Sequence, residues 1–280
     1  MATALRAGFV GVGSMGGPMA QRMIDQGVHL TLWARRAASL EPYVGSGVSV
    51  ADSLPDLGAS SDYVGVCVLN DDDVRSVVLG DEGILSGMAK GSVLVLHSTI
   101  HPDTCTELAA AAAKKGVAVV DAPVSGGGPR AALGQLLVLI GGDAKDLETI
   151  RPVLATFGSH LVHVGPLGAG QVAKIINNTL MAAQLGTAEA AARAGTALGL
   201  KPEALLEAMS HGSAASFSLD ILKGHGAKLE TFPAGALLRK DVDLYEALIA
   251  AKGAESGILG QVSEWALGIM GAPSSPQRSH

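Results

Sequence analysis

The segment AGFVGVGSMGGPMA at residues 7–20 decides the fold of this chain of 280 residues. An apolar run of strand length leads directly into three glycines in the spacing GxGxxG, and the residues that follow suit a helix. In such a unit the glycines allow a tight turn, a close backbone approach to a pyrophosphate and close helix packing. The segment therefore predicts a dinucleotide-binding domain. The residues predicted to contact the cofactor in this turn are Gly11, Gly13, Ser14, Met15 and Gly16.

Similar apolar runs alternate with helix-compatible segments as far as Gly165. They are rich in Val, Ile and Leu without strict alternation, which is typical of strands buried on both faces. The helix-compatible segment 102–115 begins with Pro102 and stops at Gly116, as helices commonly do. This alternation predicts an α/β fold with a Rossmann-type, doubly wound, mostly parallel sheet. The further predicted strands are 28–33, 63–69, 92–97, 117–120 and 136–140.

The pattern changes after Gly165, since no proline or strand-like run occurs between Gly168 and Ala197. A helix of about 28 residues, roughly 42 Å long, is predicted there, and we interpret it as an interdomain helix. The remaining sequence suits shorter helices broken by Gly and Pro. We predict an NADP-binding Rossmann domain at 1–166, an all-helical domain for substrate binding and oligomerisation at 167–272, and a disordered polar tail at 273–280.

Composition excludes several classes of protein. Hydrophobic residues make up 48% of the chain and charged residues only 16%, yet no apolar run is long enough to span a membrane. A net charge of −6 without Lys/Arg clusters argues against nucleic-acid and anionic-membrane partners. Cys67 and Cys105 show no metal-ligand or CxxC spacing, and no targeting segment is evident. We therefore expect a cytoplasmic protein with reduced thiols, no metal site and a small-molecule partner.

Cofactor preference is indicated by the end of the second predicted strand. A NAD-preferring site places Asp or Glu there for the ribose hydroxyls, whereas this chain has Arg35 and Arg36 after Ala34. Guanidinium groups can bind a 2'-phosphate bidentately, so we predict that NADP(H) is preferred and that NAD(H) remains possible. The alternative interpretation is that both arginines are solvated surface charges.

Five motifs follow one another in a fixed order: GFVGVGSMGGPMA (8–20), VCVLNDDDVRSVVLG (66–80), HSTIHPDT (97–104), DAPVSGG (121–127) and GAGQVAKIINN (168–178). Together they resemble the motifs of the β-hydroxyacid dehydrogenase family, typified by 3-hydroxyisobutyrate dehydrogenase. The resemblance implies a Rossmann domain, a long interdomain helix and an all-helical C-terminal domain, in agreement with the patterns above. It also implies a homodimer or homotetramer.

The segment around Ser125 is suited to binding a carboxylate. Its hydroxyl stands beside three glycines, and a helix start follows, so several donors lie close together. From the residues alone, a glycine-rich connector without a ligand fits equally well. The family resemblance assigns Ser125, Gly126 and Gly127 to the carboxylate of the substrate.

Lys174 is one of the few charges in its predicted helix. By itself it would be interpreted as a surface lysine that extends towards water. Its match to the family's catalytic lysine implies a general acid in reduction and a general base in oxidation, a role for which a desolvated ammonium is suitable. Asn178 lies four residues later on the same face and is expected to orient the substrate. Asn177, rotated by about 100°, is expected at the rim.

The resemblance extends to Lys240, which precedes Asp241 and is expected to close over the nicotinamide or the substrate. Open α/β sheets bind ligands at the carboxyl ends of their strands. On that basis we assign three further residues to the cofactor cleft. They are Leu69, Asn70 and Thr99.

The predicted function is an NAD(P)-dependent oxidoreductase that transfers a hydride between nicotinamide and a small β-hydroxyacid or its semialdehyde. Reduction of glyoxylate or succinic semialdehyde is the alternative within the same chemistry. Imine reductases share the architecture, but they usually carry a residue other than Lys at the position of Lys174. A non-catalytic cofactor-binding module is the remaining alternative, and the retained lysine and asparagines argue against it.

Overall fold

A computed structural model describes residues 5–272, apart from the side chain of Thr231. The predicted tail at 273–280 lies outside the described residues. The chain divides into two compact units, and the division falls between Lys174 and Ile175, within the predicted long helix. No helix in the described range is long and apolar enough to cross a membrane.

The first unit is built on a nine-stranded sheet with the order β3-β2-β1-β4-β5-β6-β8-β7, and β9 pairs with β8. The first six strands pair in parallel, while β8 runs antiparallel to β6 and β7. The predicted doubly wound, mostly parallel sheet is therefore confirmed. The strands are β1 Arg6–Val10, β2 His29–Trp33, β3 Ser49–Val50, β4 Tyr63–Val66, β5 Val93–Leu96, β6 Ala118–Asp121, β7 Val124–Ser125, β8 Leu136–Gly141 and β9 Gly158–Gly165.

All six predicted strands are present, within a few residues of the predicted bounds, whereas β3, β7 and β9 were not predicted. The strands β3 and β7 contain two residues each, too few to show a periodic pattern. The strand β9 is exposed along most of its length, so it lacks the apolar run of a buried strand.

Helices lie in connections between strands, and the regular elements of the described chain after β9 are all helices. The predicted interdomain helix is the longest, at 29 residues. Within residues 5–272 the α-helices are α1 Gly16–Asp25, α2 Leu54–Ala59, α3 Asp71–Val78, α4 Ile84–Gly87, α5 Pro102–Ala113, α6 Gly127–Ala132, α7 Ala144–Phe157, α8 Ala169–Ala197, α9 Pro202–Ser210, α10 Phe217–Gly224, α11 Gly235–Ala251 and α12 Gly257–Ile269. Two 3-10 helices span Ala37–Tyr43 and Leu229–Thr231.

Both faces of the sheet carry a hydrophobic core, because successive side chains of a strand point to opposite faces. Phe9 packs in one cluster with Met19 and Leu154, and its neighbour Val10 packs in the other with Leu108. This two-sided burial explains the near-continuous apolar runs of the sequence. The second unit has a separate core of leucines and alanines from its helices.

The strand order reverses at β1, which lies between β2 and β4. In open α/β sheets, ligands bind outside the carboxyl ends of the strands at such a point. The glycine turn after β1 and the turn after β4 both lie there. The topology therefore identifies this edge as the place to examine for a site.

Candidate active site

The turn between β1 and α1 requires glycine at two of its three positions. Gly11 has φ +97°, and a Cβ there would lie 2.1 Å from the carbonyl oxygen of Cys67. A Cβ on Gly16 would overlap the carbonyl oxygen of Gly11 at 1.9 Å. Both glycines therefore permit backbone contacts that no other residue allows, as expected for the first and third glycines of the motif.

The middle glycine has a different environment. A Cβ on Gly13 would meet no atom of the described residues within 4 Å, and Gly13 and Ser14 are exposed. The helix α1 begins at Gly16, and no side chain in the described part of the chain caps its N-terminus. Open space in front of an uncapped helix N-terminus suits an anionic group. The residues present therefore fit the pyrophosphate of a dinucleotide.

The two predicted phosphate-binding arginines follow β2 on the surface. The Arg35 side chain is 85% exposed, and its Nη1 lies 4.0 Å from Oδ1 of Asp73. Arg36 is exposed as well and precedes the first 3-10 helix. The fold thus brings a carboxylate from α3 to Arg35, although no acidic residue stands beside the arginines in the sequence.

The predicted carboxylate turn lies next to the cofactor turn. Ser125 ends β7, and Gly126 and Gly127 have φ values of +135° and +77°. A Cβ on Gly128 would lie only 2.8 Å from the carbonyl oxygen of Ser14. The structure therefore brings together two glycine-rich turns that are separated by more than a hundred residues in sequence.

The turns after β4 and β5 are also joined at this edge of the sheet. The Ser98 hydroxyl accepts a hydrogen bond from the backbone N–H of Val68 at 2.9 Å. Asn70 caps α3, since its Oδ1 accepts the N–H of Asp73 at 2.8 Å. Leu69 is exposed and Thr99 is half-buried. The predicted cleft residues therefore share one edge, as parallel neighbouring strands require.

Two buried side chains that were not assigned a role from the sequence hold the first turn of α8. The Asp121 carboxylate accepts the backbone N–H groups of Gly168 and Gln171, each at 2.7 Å. The Gln171 amide accepts the N–H of Ile100 at 3.0 Å and donates to the carbonyl of Ser98 at 2.9 Å. The available signals were the acidic first residue of the DAPVSGG motif and a polar residue three positions before Lys174.

Lys174 and Asn178 occupy one face of α8. Each side chain is only 8% exposed, so neither is a solvated surface group. Lys174 is one turn beyond Gln171, and Asn178 is one turn further along. The surface-lysine interpretation of Lys174 therefore does not agree with its burial.

In the second unit, a buried carboxylate links Asn178 to Lys240. Asn178 Nδ2 donates to Oδ2 of Asp241 at 2.5 Å, and Lys240 Nζ lies 3.3 Å from Oδ1 of the same carboxylate. Asn177 Nδ2 donates to Oδ1 of Asn178 at 3.1 Å. Each polar atom of the Asn178 amide keeps capacity for one more hydrogen bond, because an amide offers two donors and two lone pairs.

Comparisons with known proteins agree with this arrangement. A family model of the NAD binding domain of 6-phosphogluconate dehydrogenase matches residues 6–165. A second model, described as the NAD-binding part of NADP-dependent 3-hydroxyisobutyrate dehydrogenase, matches residues 168–268. The NAD-dependent L-serine dehydrogenase of Pseudomonas aeruginosa is 38% identical over 81% of this chain and 76% of its own length. The chain belongs to the β-hydroxyacid dehydrogenase family.

Two further similar proteins support the assignment of this chain to the β-hydroxyacid dehydrogenase family. The 3-hydroxyisobutyrate dehydrogenase of Pseudomonas aeruginosa is 38% identical over 76% of this chain and 72% of its own length. The structure of Mycobacterium tuberculosis 3-hydroxyisobutyrate dehydrogenase with L-serine matches with a TM-score of 0.84 at 25% identity, covering 96% of this chain and 94% of that one. The protein is therefore an NAD(P)-binding oxidoreductase of the 3-hydroxyacid dehydrogenase type.

Burial shifts the pKa values of several ionisable groups in the first unit of this dehydrogenase. Loss of hydration raises the pKa of Asp121 to about 6, although backbone N–H groups oppose the shift. Burial lowers the pKa of His97 to about 4, and burial raises the pKa of the Cys67 thiol to about 12. At neutral pH, His97 is therefore uncharged and Cys67 is a thiol. Within residues 5–272, no group of three or more His, Cys, Asp or Glu side chains could hold a metal ion.

Proposed function

We propose that this enzyme interconverts a small 3-hydroxyacid of the 3-hydroxyisobutyrate type and its semialdehyde, with NADP(H) as the preferred cofactor. The observation that carries the proposal is the buried Lys174, which projects from a helix turn fastened to the turns after β5 and β6. Burial favours the uncharged form of an amine, and ionisable groups in such environments cluster at functional sites.

The substrate carboxylate is assigned to Ser125, Gly126 and Gly127. The hydroxyl and the backbone N–H groups of this turn supply closely spaced donors at the start of α6. The proximity of Gly128 to Ser14 supports this assignment, since it brings the carboxylate turn beside the cofactor turn. In a 3-hydroxyacid held there by its carboxylate, the carbon that bears the hydroxyl lies a short distance from this turn.

The chemistry needs a group that moves a proton at the substrate oxygen. The nicotinamide supplies the hydride acceptor for oxidation and the hydride donor for reduction. Nζ of Lys174 takes the hydroxyl proton in oxidation and returns it in reduction. Asn178 uses its remaining donor or acceptor to orient the same oxygen, and Asn177 holds the Asn178 amide in place. Lys240 is assigned to the substrate or the nicotinamide on its family motif.

The preference for NADP(H) rests on Arg35 and Arg36. Both are exposed and follow the strand that leads to the ribose of a bound dinucleotide. The ion pair between Arg35 and Asp73 is long and largely solvated, so a 2'-phosphate could displace it at little cost. The five residues assigned in the glycine turn, together with Leu69, Asn70 and Thr99, complete the proposed cofactor contacts.

We further propose a homodimer or homotetramer in the cytoplasm. One side of α8 exposes three apolar side chains, Val172, Ile176 and Leu180, at 39, 45 and 47%. Such a stripe is more typical of a covered surface than of a solvated one. Sedimentation velocity measures the number of subunits. The free thiols of Cys67 and Cys105 are consistent with a reducing compartment.

Turnover with a substrate panel tests the function. We expect oxidation of 3-hydroxyisobutyrate, with a higher kcat/KM for NADP⁺ than for NAD⁺. L-Serine, glyoxylate and succinic semialdehyde in the same panel discriminate the related substrates, and a cyclic imine tests for imine reduction. A clear preference for NAD(H) would overturn the role of the arginines, and no turnover with any compound would favour a non-catalytic module.

The variant Lys174→Ala tests the proton-transfer role directly. Loss of a general acid-base group lowers kcat by about 10²–10⁴-fold. Cofactor affinity, measured by fluorescence of the bound dinucleotide, should change little. Lys145→Ala removes an exposed lysine of the same unit and is the matched control. Turnover of Lys174→Ala near the wild-type rate would contradict the proposal.

A further inference from the structure

Gln171 is fully buried and uses both ends of its side-chain amide on the backbone of one turn. Its Oε1 accepts the N–H of Ile100, and its Nε2 donates to the carbonyl of Ser98. These partners flank Thr99 in the turn after β5. A side-chain amide that bonds an N–H and a C=O two residues apart fixes the position of a turn as a backbone strand would.

The helix start has a separate anchor in Asp121. This carboxylate is also fully buried and accepts the N–H groups of Gly168 and Gln171. A Cβ on Gly170 would lie 2.5 Å from the carbonyl oxygen of Leu139, so the helix start and the sheet are in close contact. Asp121 therefore caps the start of α8 through two backbone N–H groups, and the Gln171 side chain takes no part in this cap.

The Gln171 side chain consequently adds something other than a helix cap. It sets the position of α8 relative to the Ser98–Ile100 turn, which is itself tied to the turn after β4 through Ser98 and Val68. Helix geometry puts Gln171, Lys174 and Asn178 on one face, because three and seven residues are close to whole numbers of turns. A shift of the Gln171 contact would therefore displace Lys174 in the same direction.

We propose that Gln171 is a positioning residue of the hydride-transfer reaction, which holds Lys174 in register with the Ser98–Ile100 turn through its paired hydrogen bonds. The inference rests on the proposed function, since it needs Lys174 as the proton-transfer group. Gln171 itself does not touch the reacting atoms in this proposal. It acts through the backbone of the turn and the first turns of α8.

The variant Gln171→Met tests this role, because Met has a similar length and shape but removes both hydrogen bonds. Rapid mixing of excess substrate with enzyme that carries one equivalent of bound cofactor gives two quantities for each variant. The amplitude of this first turnover reports the fraction of enzyme that is active, and its rate reports the chemical step. We expect a rate about 10–100-fold lower, in line with a misplacement of order 1 Å, and an amplitude close to that of the wild type.

Thr179→Val is the matched control on the same helix. Thr179 is fully buried, and within residues 5–272 its hydroxyl donates to the carbonyl of Ile175 in its own helix. This variant should retain the wild-type rate even if its thermal midpoint falls. A merely structural role of Gln171 would make Gln171→Met resemble this control, with a lower midpoint or amplitude and an unchanged rate.

The outcomes separate this inference from the proposed function. A wild-type rate in Gln171→Met together with an inactive Lys174→Ala overturns the positioning role alone. Wild-type turnover in Lys174→Ala overturns the proposed function and the inference with it. If Gln171→Met does not fold, Gln171→Asn supplies the same measurement, because its shorter amide cannot bridge both backbone groups.

Discussion

The glycine turn after β1 and the first turns of α8 serve the same edge of the sheet but are built in opposite ways. The glycine turn depends on absent side chains, since atoms at Cβ of Gly11 or Gly16 would overlap backbone oxygens. The start of α8 depends on buried polar side chains, with Asp121 and Gln171 fully enclosed. We therefore expect the glycine turn to be disrupted by an added side-chain atom, and the start of α8 to be disrupted by the loss of a side-chain hydrogen bond.

The two regions also differ in the range of their interactions. Within the GxGxxG turn, Gly16 approaches Gly11, only five residues away, although Gly11 also approaches Cys67 and Ser14 approaches Gly128. Asp121 bonds to residues 47 and 50 positions away, and Gln171 bonds to Ser98 across 73 positions. A local motif can be recognised by its spacing, whereas a long-range contact requires the folded sheet.

The largest effect is expected from Gly16→Ala, which adds a methyl group at 1.9 Å from the carbonyl oxygen of Gly11. Backbone must move to relieve the overlap, so we expect a loss of about 3 kcal/mol or more in the free energy of unfolding. Urea denaturation measures it. A variant of wild-type stability would show that the turn is not built on close backbone contact.

Gly13→Ala is the matched control in the same turn. Its methyl group meets no described atom within 4 Å, so stability should stay within about 0.5 kcal/mol of the wild type. Cofactor affinity should nevertheless fall by about tenfold or more, because the added group occupies the approach to the pyrophosphate. Titration of dinucleotide fluorescence separates the two properties, and unchanged affinity would contradict the placement of the cofactor.

The second effect is a dependence of the free energy of unfolding on pH, caused by a buried histidine near the start of α8. His97 Nδ1 donates to the carbonyl of Ala122 at 2.8 Å, and its Nε2 accepts from the Tyr63 hydroxyl at 2.6 Å. It thereby joins the turns that carry Ser98 and Asp121. Because burial lowers the pKa of His97 from 6.5 to about 4, its contribution to stability is present above pH 6.5 and is lost as pH falls towards 4.

Protonation of Asp121 has the opposite effect on the free energy of unfolding over nearly the same pH interval. Its pKa is raised from 3.8 to about 6, so the folded state takes up a proton first and gains stability as pH falls from 6 towards 3.8. The wild-type profile contains both effects. We therefore compare the wild type with His97→Gln by urea denaturation between pH 7 and pH 4, and expect the wild type to lose up to about 3 kcal/mol more. Parallel profiles would exclude His97 as the titrating group.

The smallest effect is expected at Asn178, where a side chain orients rather than reacts. Asn178→Ala should lower kcat by about tenfold to a hundredfold, because the substrate oxygen loses an orienting partner and Asp241 loses a hydrogen bond. Asn177→Ala removes a half-buried neighbour that contacts Asn178 and should cost less. Steady-state kinetics with saturating cofactor measures both. A greater loss in Asn177→Ala would reverse the two assignments.

Several features of the fold followed from local patterns in the sequence. The strand run before Gly11, the spacing of the three glycines and the long proline-free stretch predicted β1, α1 and α8. These elements depend on short-range sterics and on apolar periodicity, which a sequence displays directly. The short strands β3 and β7 and the exposed strand β9 have no such pattern and were found only in the structure.

The candidate site shows the same division. Lys174, Asn178 and the Ser125 turn were predicted because they stand in motifs that resemble a known family. The pairing of Asn178 with Asp241, the approach of Asp73 to Arg35 and the roles of Asp121 and Gln171 were not predicted. Each of them joins segments that are far apart in the chain, so no spacing in the sequence indicates them.

The sequence by itself determined the class of fold, the dinucleotide turn and the residues to examine, because glycine sterics and helix periodicity act over a few residues. Only the tertiary structure decided that Lys174 is buried rather than solvated, and which groups hold its helix. Burial and long-range hydrogen bonds depend on how the sheet orders its strands. That order brings the turns after β1, β4, β5 and β6 to one edge, and it exists only in the folded chain.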